Sequence, residues 1–156
     1  MLDVLKGLDG GTYTLIIRVL NSLNIRVGCL GYVEFDAGLY TYTGSALNRK
    51  LGLYHRVLRH LNHAKRVRWH IDYLLSSDGV SVSAICVSHS LFRFECFVAE
   101  KIMSVLGGFP IIGFGCSDCN CESHLHFFSG VNFMDLLNMV YNVYYDLGLN
   151  PVKIVL

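Results

Sequence analysis

The stretch GTYTLIIRVL, residues 11–20, decides the fold of this chain. β-Branched and aromatic residues dominate it, and strands favour both kinds of side chain. Glycines precede it and Asn21-Ser22 follow it, which is typical of a strand bounded by turns. It therefore predicts a buried strand, and the stretches LYTYT (residues 39–43) and VSVSAICV (residues 80–87) predict two more.

The segments around these strands predict a hairpin and several helices. Residues 25–35 hold two short apolar runs around a Gly-containing centre, which indicates a hairpin between the first two strands. Leu51, Tyr54, Leu58 and Leu61 recur at helical spacing and predict one apolar helix face. The predicted helices span residues 47–63, 69–75, 94–106 and 132–147, and residues 111–128 are expected to be irregular with short strands.

The order of these elements predicts the fold class. Strands and helices do not alternate regularly along the chain, which argues against a doubly wound parallel sheet. We therefore expect an α+β fold with a small, mainly antiparallel three-stranded core sheet, an inserted hairpin and flanking helices. Residues 1–156 are expected to form a single domain, with a core of about residues 11–128 and a C-terminal helix of about residues 132–147.

Composition narrows the class of protein. The chain is 53% hydrophobic and 16% charged, against about 25% charged in an average domain, which excludes a disordered protein.

The sequence does not predict a membrane span. The longest uncharged stretch that could be considered for one, residues 102–117, is interrupted by glycines and Pro110 and is too short to span a bilayer. The first ten residues contain two acids and do not resemble a signal peptide. A cytoplasmic protein without membrane contact is expected, and Cys29, Cys86 and Cys96 are expected to be buried thiols.

Positive charge is concentrated in one segment. Between Asp36 and Asp72 there is no acidic residue, although seven of the thirteen lysines and arginines and four of the seven histidines lie there. This pattern predicts a surface that attracts anions, and a solvated helix face is the alternative. The candidate contacts to nucleic acid are Gly44, Arg49, Lys50, Arg59, Lys65, Arg66, Arg68 and His70.

Five further side chains suit metal-assisted phosphodiester cleavage. Tyr13 begins one predicted strand, Tyr42 ends another, Arg56 and His60 lie one turn apart on a predicted helix, and Glu95 opens a later helix. A carboxylate can hold Mg²⁺, an arginine can neutralise phosphate, and a tyrosine or histidine can orient or deprotonate water. Taken singly, each is also an ordinary strand aromatic, solvated helix residue or first-turn acid.

In this order, GTY, YTG, Arg56 with His60, and Glu95 resemble the GIY-YIG nuclease superfamily. GLYTYTGSA, RWHIDYLL and SDCNCESHL resemble more closely its uncharacterised prokaryotic branch, which is sometimes fused to endonuclease III. The resemblance covers residues 11–128 and implies a GIY-YIG-like fold. It also implies a metal-dependent endonuclease that uses Mg²⁺ or Mn²⁺ on nucleic acid, foremost DNA. A role in DNA repair and an endonuclease III-type partner follow from the same resemblance.

The resemblance also assigns roles. Tyr13 would be a general base or a water-orienting group, Tyr42 its counterpart, Arg56 the contact to the scissile phosphate, and Glu95 the metal ligand. His60 would match the residue one turn after the arginine, and Gly44 would let the backbone pass close to the substrate. The spacing departs from the family, because 28 residues separate Tyr13 from Tyr42. Arg49 is the alternative to Arg56, and Glu100 is the alternative to Glu95.

A crowded segment of cysteines and histidines, residues 116–126, carries a separate hypothesis. Cys119, Cys121 and His124 are of the types that bind zinc, whereas Cys116 lies outside the part that resembles the family. The alternative is a set of buried thiols with a hydrogen-bonded histidine. Two other functions therefore stay open beside the nuclease, namely a non-catalytic nucleic-acid-binding module and a structural metal-binding domain.

Overall fold

The computed structural model describes residues 1–47 and 52–156. Its main sheet has six strands in the order β6-β7-β4-β1-β5-β8, and every neighbouring pair is antiparallel. A separate two-stranded sheet, β2-β3, is the expected hairpin. The strands are β1 (Gly11–Val19), β2 (Leu23–Arg26), β3 (Tyr32–Phe35), β4 (Gly38–Ala46), β5 (Val80–His89), β6 (Phe109–Pro110), β7 (Leu125–Phe128) and β8 (Val152–Val155).

Helices cover both faces of the main sheet. They are α1 (Leu53–Leu61), α2 (His70–Leu75), α3 (Glu95–Leu106) and α4 (Phe133–Asp146). Leu15 and Ile17 of β1 belong to one apolar core with α1 and α2, whereas Ile16 belongs to a second core with α3 and α4. Successive strand residues point to opposite faces, so β1 is buried on both sides. This explains why its sequence is almost continuously apolar.

The α+β class with a mainly antiparallel sheet is confirmed, and the three strands found in the sequence are its centre, β4-β1-β5. β6, β7 and β8 extend the sheet at its two edges. β4 continues past the predicted end to Ala46, because Gly44 and Ser45 pair with β1. The predicted helix over residues 47–63 is α1, Leu53–Leu61, and Leu51 lies outside the described residues.

The structure also bears on the membrane and on the cysteines. Within residues 1–47 and 52–156, none of the helices has the length and apolar character needed to cross a membrane. The expectation of three buried thiols is wrong for Cys29, which is exposed because it lies in the 3-10 turn Gly28–Leu30 between the hairpin strands. Cys86 is buried as expected, and Cys96 is half-buried.

Candidate functional site

A cleft of about 330 Å³ lies at the end of the main sheet where β1 begins and β4 ends. Tyr13, Tyr42, Arg56 and Glu95 all line it, so the structure brings together the four residues that the sequence singled out. α3 packs on the opposite face of the sheet from α1, but its first residue reaches the same cleft. The other lining residues include Gly44, Ser45, Arg68, Trp69, His70, Arg93, Ser117, Asp118 and His124.

Gly44 and His60 hold Tyr13 in place. Gly44 pairs with Tyr13 across β4 and β1, and a Cβ atom at Gly44 would lie 2.6 Å from the Tyr13 hydroxyl oxygen. The missing side chain therefore makes room for the tyrosine, a role that differs from the expected close approach to substrate. The Tyr13 hydroxyl lies 2.7 Å from His60 Nε2, and His60 is buried behind it.

Burial determines the protonation states of Tyr13, Tyr42 and His60. It raises the pKa of Tyr13 and of Tyr42 well above the ordinary value for a phenol, and it lowers the pKa of His60 to about 3. Both phenols are therefore protonated at neutral pH, and His60 is neutral. In this state the hydrogen between Tyr13 and His60 Nε2 can lie on either partner, and with either tautomer of His60 the phenol oxygen keeps a free lone pair.

Trp69 is the platform for two arginines of α1. The guanidinium carbons of Arg56 and Arg59 lie 4.3 Å and 4.1 Å from the centre of its ring, within the range of a cation–π contact. Arg59 also forms a bidentate ion pair with Asp72, with both N···O distances at 2.8 Å. Asp72 is fully buried and accepts the backbone N–H groups of Arg68 and Trp69 as well.

Some residues of the predicted basic surface are already bonded within the protein, whereas others are exposed or line the cleft. Arg59 was expected to contact nucleic acid, but its charge is neutralised by Asp72 and it serves to fix Trp69. Lys65 is half-buried and donates to the carbonyl oxygen of His60 at the end of α1, whereas Arg66 is exposed. Arg68 and His70 line the cleft. Arg49, which was the alternative to Arg56, and Lys50 lie outside the described residues.

His70 also connects the cleft to the irregular segment after α3. Its Nδ1 accepts the backbone N–H of Gly115 at 3.0 Å, and burial lowers its pKa. The imidazole is therefore the neutral form that such an acceptor requires. His70 holds this loop in position and borders the cleft at the same time.

Glu95 is the buried acid of the cleft. Arg93 donates to its Oε1 from Nε at 2.8 Å and also donates to Asp118 at 3.0 Å. Glu95 Oε2 is buried and has no hydrogen-bond partner among the described residues. A buried carboxylate oxygen without a partner is unusual in folded proteins and fits the ligand of a hard divalent cation. Glu100 is exposed and lines a different cavity, of about 380 Å³.

A second cluster lies directly beside Glu95. One ligand atom from each of Cys96, Cys119, Cys121 and His124 lies within 4.8 Å of every other, so the cluster could bind a metal ion. Three thiols and an imidazole fit zinc better than Mg²⁺ or Mn²⁺. Cys116 is not in the cluster, and its thiol donates to the carbonyl oxygen of Phe114.

Sequence reasoning missed four contributors to the site, namely Trp69, Arg93, Cys96 and Asp118. Cys96 belongs to α3, and only the fold brings it to Cys119, Cys121 and His124. Arg93 and Asp118 lie in irregular segments, where periodicity gives no information. The proximity of Arg93 to Glu95 in the sequence, and the place of Asp118 beside Cys119, were the available signals.

Comparison with known proteins places the chain in a family. No curated protein and no solved structure showed significant similarity to it. One family model, described as "Domain of unknown function DUF123", matches residues 12–147, which is most of the chain and includes every residue that lines the cleft. The chain belongs to this DUF123 family.

Proposed function

We propose that the protein is an endonuclease that cleaves phosphodiester bonds in nucleic acid, foremost DNA, with one divalent ion, Mg²⁺ or Mn²⁺. One observation carries the proposal: Tyr13, Tyr42, Arg56 and Glu95 line a single cleft. They are the residues that the resemblance to GIY-YIG nucleases selects. The fusion of similar chains to endonuclease III extends the proposal to DNA repair and to a partner of that type.

Glu95 Oε2 is the atom that would hold the ion. The oxygen is buried, borders the cleft through its residue and lacks a partner among the described residues. A single carboxylate suits Mg²⁺, which keeps most of its waters and shares the phosphate of the substrate. Bound there, the ion would neutralise the charge that develops on the phosphate oxygens during cleavage.

Tyr13 orients the attacking water in this proposal. Its raised pKa keeps it protonated at neutral pH, which argues against the role of a direct general base. Its oxygen keeps a free lone pair with either tautomer of His60, so it can accept a hydrogen bond from a water in the cleft. His60 supports the tyrosine from behind, since burial keeps its imidazole neutral.

Arg56 and Arg68 supply positive charge to the cleft. Arg56 is held against Trp69, which limits the rotamers of its long side chain. A guanidinium fixed in this way can bind a phosphate with paired hydrogen bonds at a smaller entropic cost. The indole ring also borders the cleft, so it holds this guanidinium beside the space that a substrate would occupy.

Cleavage of a set of labelled substrates tests the proposal. Single-stranded, duplex and branched DNA and the matching RNAs are incubated with the wild-type protein and Mg²⁺, Mn²⁺ or EDTA. We expect cleavage of at least one DNA with either ion and none with EDTA. Binding should weaken steeply between low and moderate salt, because bound phosphates release counterions. Absence of cleavage with every substrate and ion would contradict the proposal.

One contact favours a second candidate, a non-catalytic nucleic-acid-binding module. Arg93 already pairs with Glu95 and with Asp118, so an arginine provides charge compensation that a metal ion would otherwise provide. In such a module the cleft binds nucleic acid without turnover. Salt-sensitive binding by the wild-type protein and by Arg93→Ala, with no cleavage by either, would identify this function.

A further inference from the structure

The structure points to a zinc site that is separate from the proposed Mg²⁺ site and is built from Cys96, Cys119, Cys121 and His124. We propose that it binds one tetrahedral Zn²⁺ and fastens the loop before β7 to the start of α3. Each of the four residues offers one ligand atom, and these atoms lie within 4.8 Å of one another. Three thiolates and one imidazole are a common ligand set for structural zinc.

Two of the separations between ligand atoms are close to those of this coordination. With Zn–S of about 2.3 Å and Zn–N of about 2.0 Å, tetrahedral geometry places sulfur and nitrogen about 3.5 Å apart. His124 Nε2 lies 3.6 Å from Cys119 Sγ and 3.8 Å from Cys96 Sγ. Both distances are long for strong hydrogen bonds but fit two ligands of one zinc ion.

The ligands come from two separate parts of the chain. Cys96 lies in the first turn of α3, whereas Cys119 and Cys121 lie in the irregular loop and His124 directly precedes β7. Structural zinc sites commonly join separated chain segments in this manner. The sequence suggested only the three ligands within residues 116–126, which is the less usual arrangement.

Cys116 adjoins the cluster but is not one of its four members. Cys116 is also half-buried and lies three residues before Cys119, but its thiol donates to a backbone carbonyl at 3.4 Å. Cys116 is therefore a matched control for a cysteine of the same loop that does not bind the ion. Cys29 is a second control, since it is exposed, its thiol lies 3.9 Å from His70 Nε2 and it is not part of the cluster.

Metal analysis of the full-length protein tests the site. The wild-type protein and its variants are produced with added zinc, and bound zinc is measured by mass spectrometry after gel filtration. We expect about one zinc per wild-type chain. Cys96→Ser should bind zinc more than ~10-fold more weakly, since changes even outside the ligand sphere lower metal affinity by ~10–100-fold. Cys116→Ser and Cys29→Ser should retain the wild-type content.

Cobalt substitution keeps the test decisive where a variant does not fold. Wild-type protein freed of zinc is titrated with Co²⁺, and we expect intense visible bands of tetrahedral cobalt with thiolate-to-cobalt charge transfer. Zinc-free wild-type protein with a weak octahedral cobalt spectrum would overturn the proposal. Loss of zinc from Cys116→Ser with retention by Cys96→Ser would overturn the ligand assignment. Neither readout uses cleavage, so the zinc site and the proposed nuclease can fail independently.

Discussion

The two walls of the cleft differ in how completely the oxygens of their buried carboxylates are paired, since both oxygens of Asp72 have partners. On the wall formed by β1, α1 and the start of α2, Tyr13 is bonded to His60, and Arg59 is bonded to Asp72. On the wall formed by α3 and the loop before β7, Glu95 Oε2 has no partner among the described residues. The neighbouring thiols and His124 form a cluster that suits a metal. The carboxylate of the first wall is neutralised within the protein, although His60 Nδ1 there has no partner among the described residues, whereas the second wall holds the groups that could bind a metal ion.

The largest effect on stability is expected from Asp72→Asn in the first wall. It leaves Arg59 without its buried counter-charge and weakens two backbone contacts, so we expect a loss of about 3–5 kcal/mol in unfolding free energy. Urea unfolding measures it, with the exposed Asp78→Asn as control. Equal stability of the two variants would show that the ion pair does not hold this wall.

The same carboxylate predicts a pH dependence. Burial raises the pKa of Asp72, but the bonds from Arg59, Trp69 and Arg68 outweigh it, so the pKa lies below the ordinary value of 3.8. The folded state therefore favours the ionised form, and this stabilisation is complete above pH 3.8 and is lost as the pH falls below it. Asp72→Asn should lack this loss of stability in acid, and urea denaturation curves between pH 5 and 3 can measure it. If the stability of Asp72→Asn fell with pH as steeply as that of the wild type, Asp72 would not be its source.

Gly44→Ala tests whether Tyr13 needs the space beside it. The added Cβ would lie 2.6 Å from the hydroxyl oxygen, so the ring must shift away from His60. We expect a loss of about 1–3 kcal/mol in stability together with slower cleavage. Ser81→Ala, an exposed position of β5 that does not line the cleft, is the control. A crystal structure with the Tyr13–His60 bond intact in Gly44→Ala would rule out this explanation.

His60 predicts a smaller effect of mild acid. Its pKa is lowered from an ordinary value of 6.5 to about 3 by burial, so the unfolded chain binds a proton first as the pH falls below 6.5. Between pH 6.5 and pH 5 this should remove about 2 kcal/mol of stability, at ~1.36 kcal/mol per pH unit. His60→Gln should reduce this slope in unfolding measurements, and an identical slope in the variant would exclude His60 as its source.

Arg68→Ala should have the smallest effect and act on binding alone. Arg68 is exposed at the cleft and its side chain has no ion-pair partner among the described residues, so removing it should weaken nucleic-acid binding severalfold and flatten the salt dependence. Arg59→Ala should instead lower the free energy of unfolding, because Arg59 forms the ion pair with buried Asp72. Fluorescence anisotropy at two salt concentrations compares them, and equal binding by wild type and Arg68→Ala would remove Arg68 from the interface.

The sequence predicted the strands and helices whose residues follow a local hydrophobic pattern. The strand residues of β1 and β5 are β-branched and apolar, and α3 and α4 carry regular apolar spacing, so their positions could be recognised. The four cleft residues were found through their order along the chain. β8 was not found, because four residues give little pattern and its position is determined by pairing with β5.

Contacts between distant segments account for the rest. Arg59, a predicted binding residue, forms an ion pair with Asp72, and Cys96 joins Cys119 in a cluster that could bind a metal. Both depend on how α1, α2, α3 and the loop meet around the sheet. Such contacts follow from packing in three dimensions, and neither hydrophobic spacing nor charge counts contain that information.

A comparison of Glu95→Gln with Glu100→Gln tests the central claim most directly. Both substitutions remove one negative charge from α3 with little change in shape, but only Glu95 borders the cleft. Single-turnover cleavage in Mg²⁺ or Mn²⁺, at equal folded fraction by circular dichroism, should fall about 10²–10³-fold in Glu95→Gln and stay at the wild-type rate in Glu100→Gln. Wild-type cleavage by Glu95→Gln, or loss of cleavage in Glu100→Gln alone, would contradict this account of the cleft.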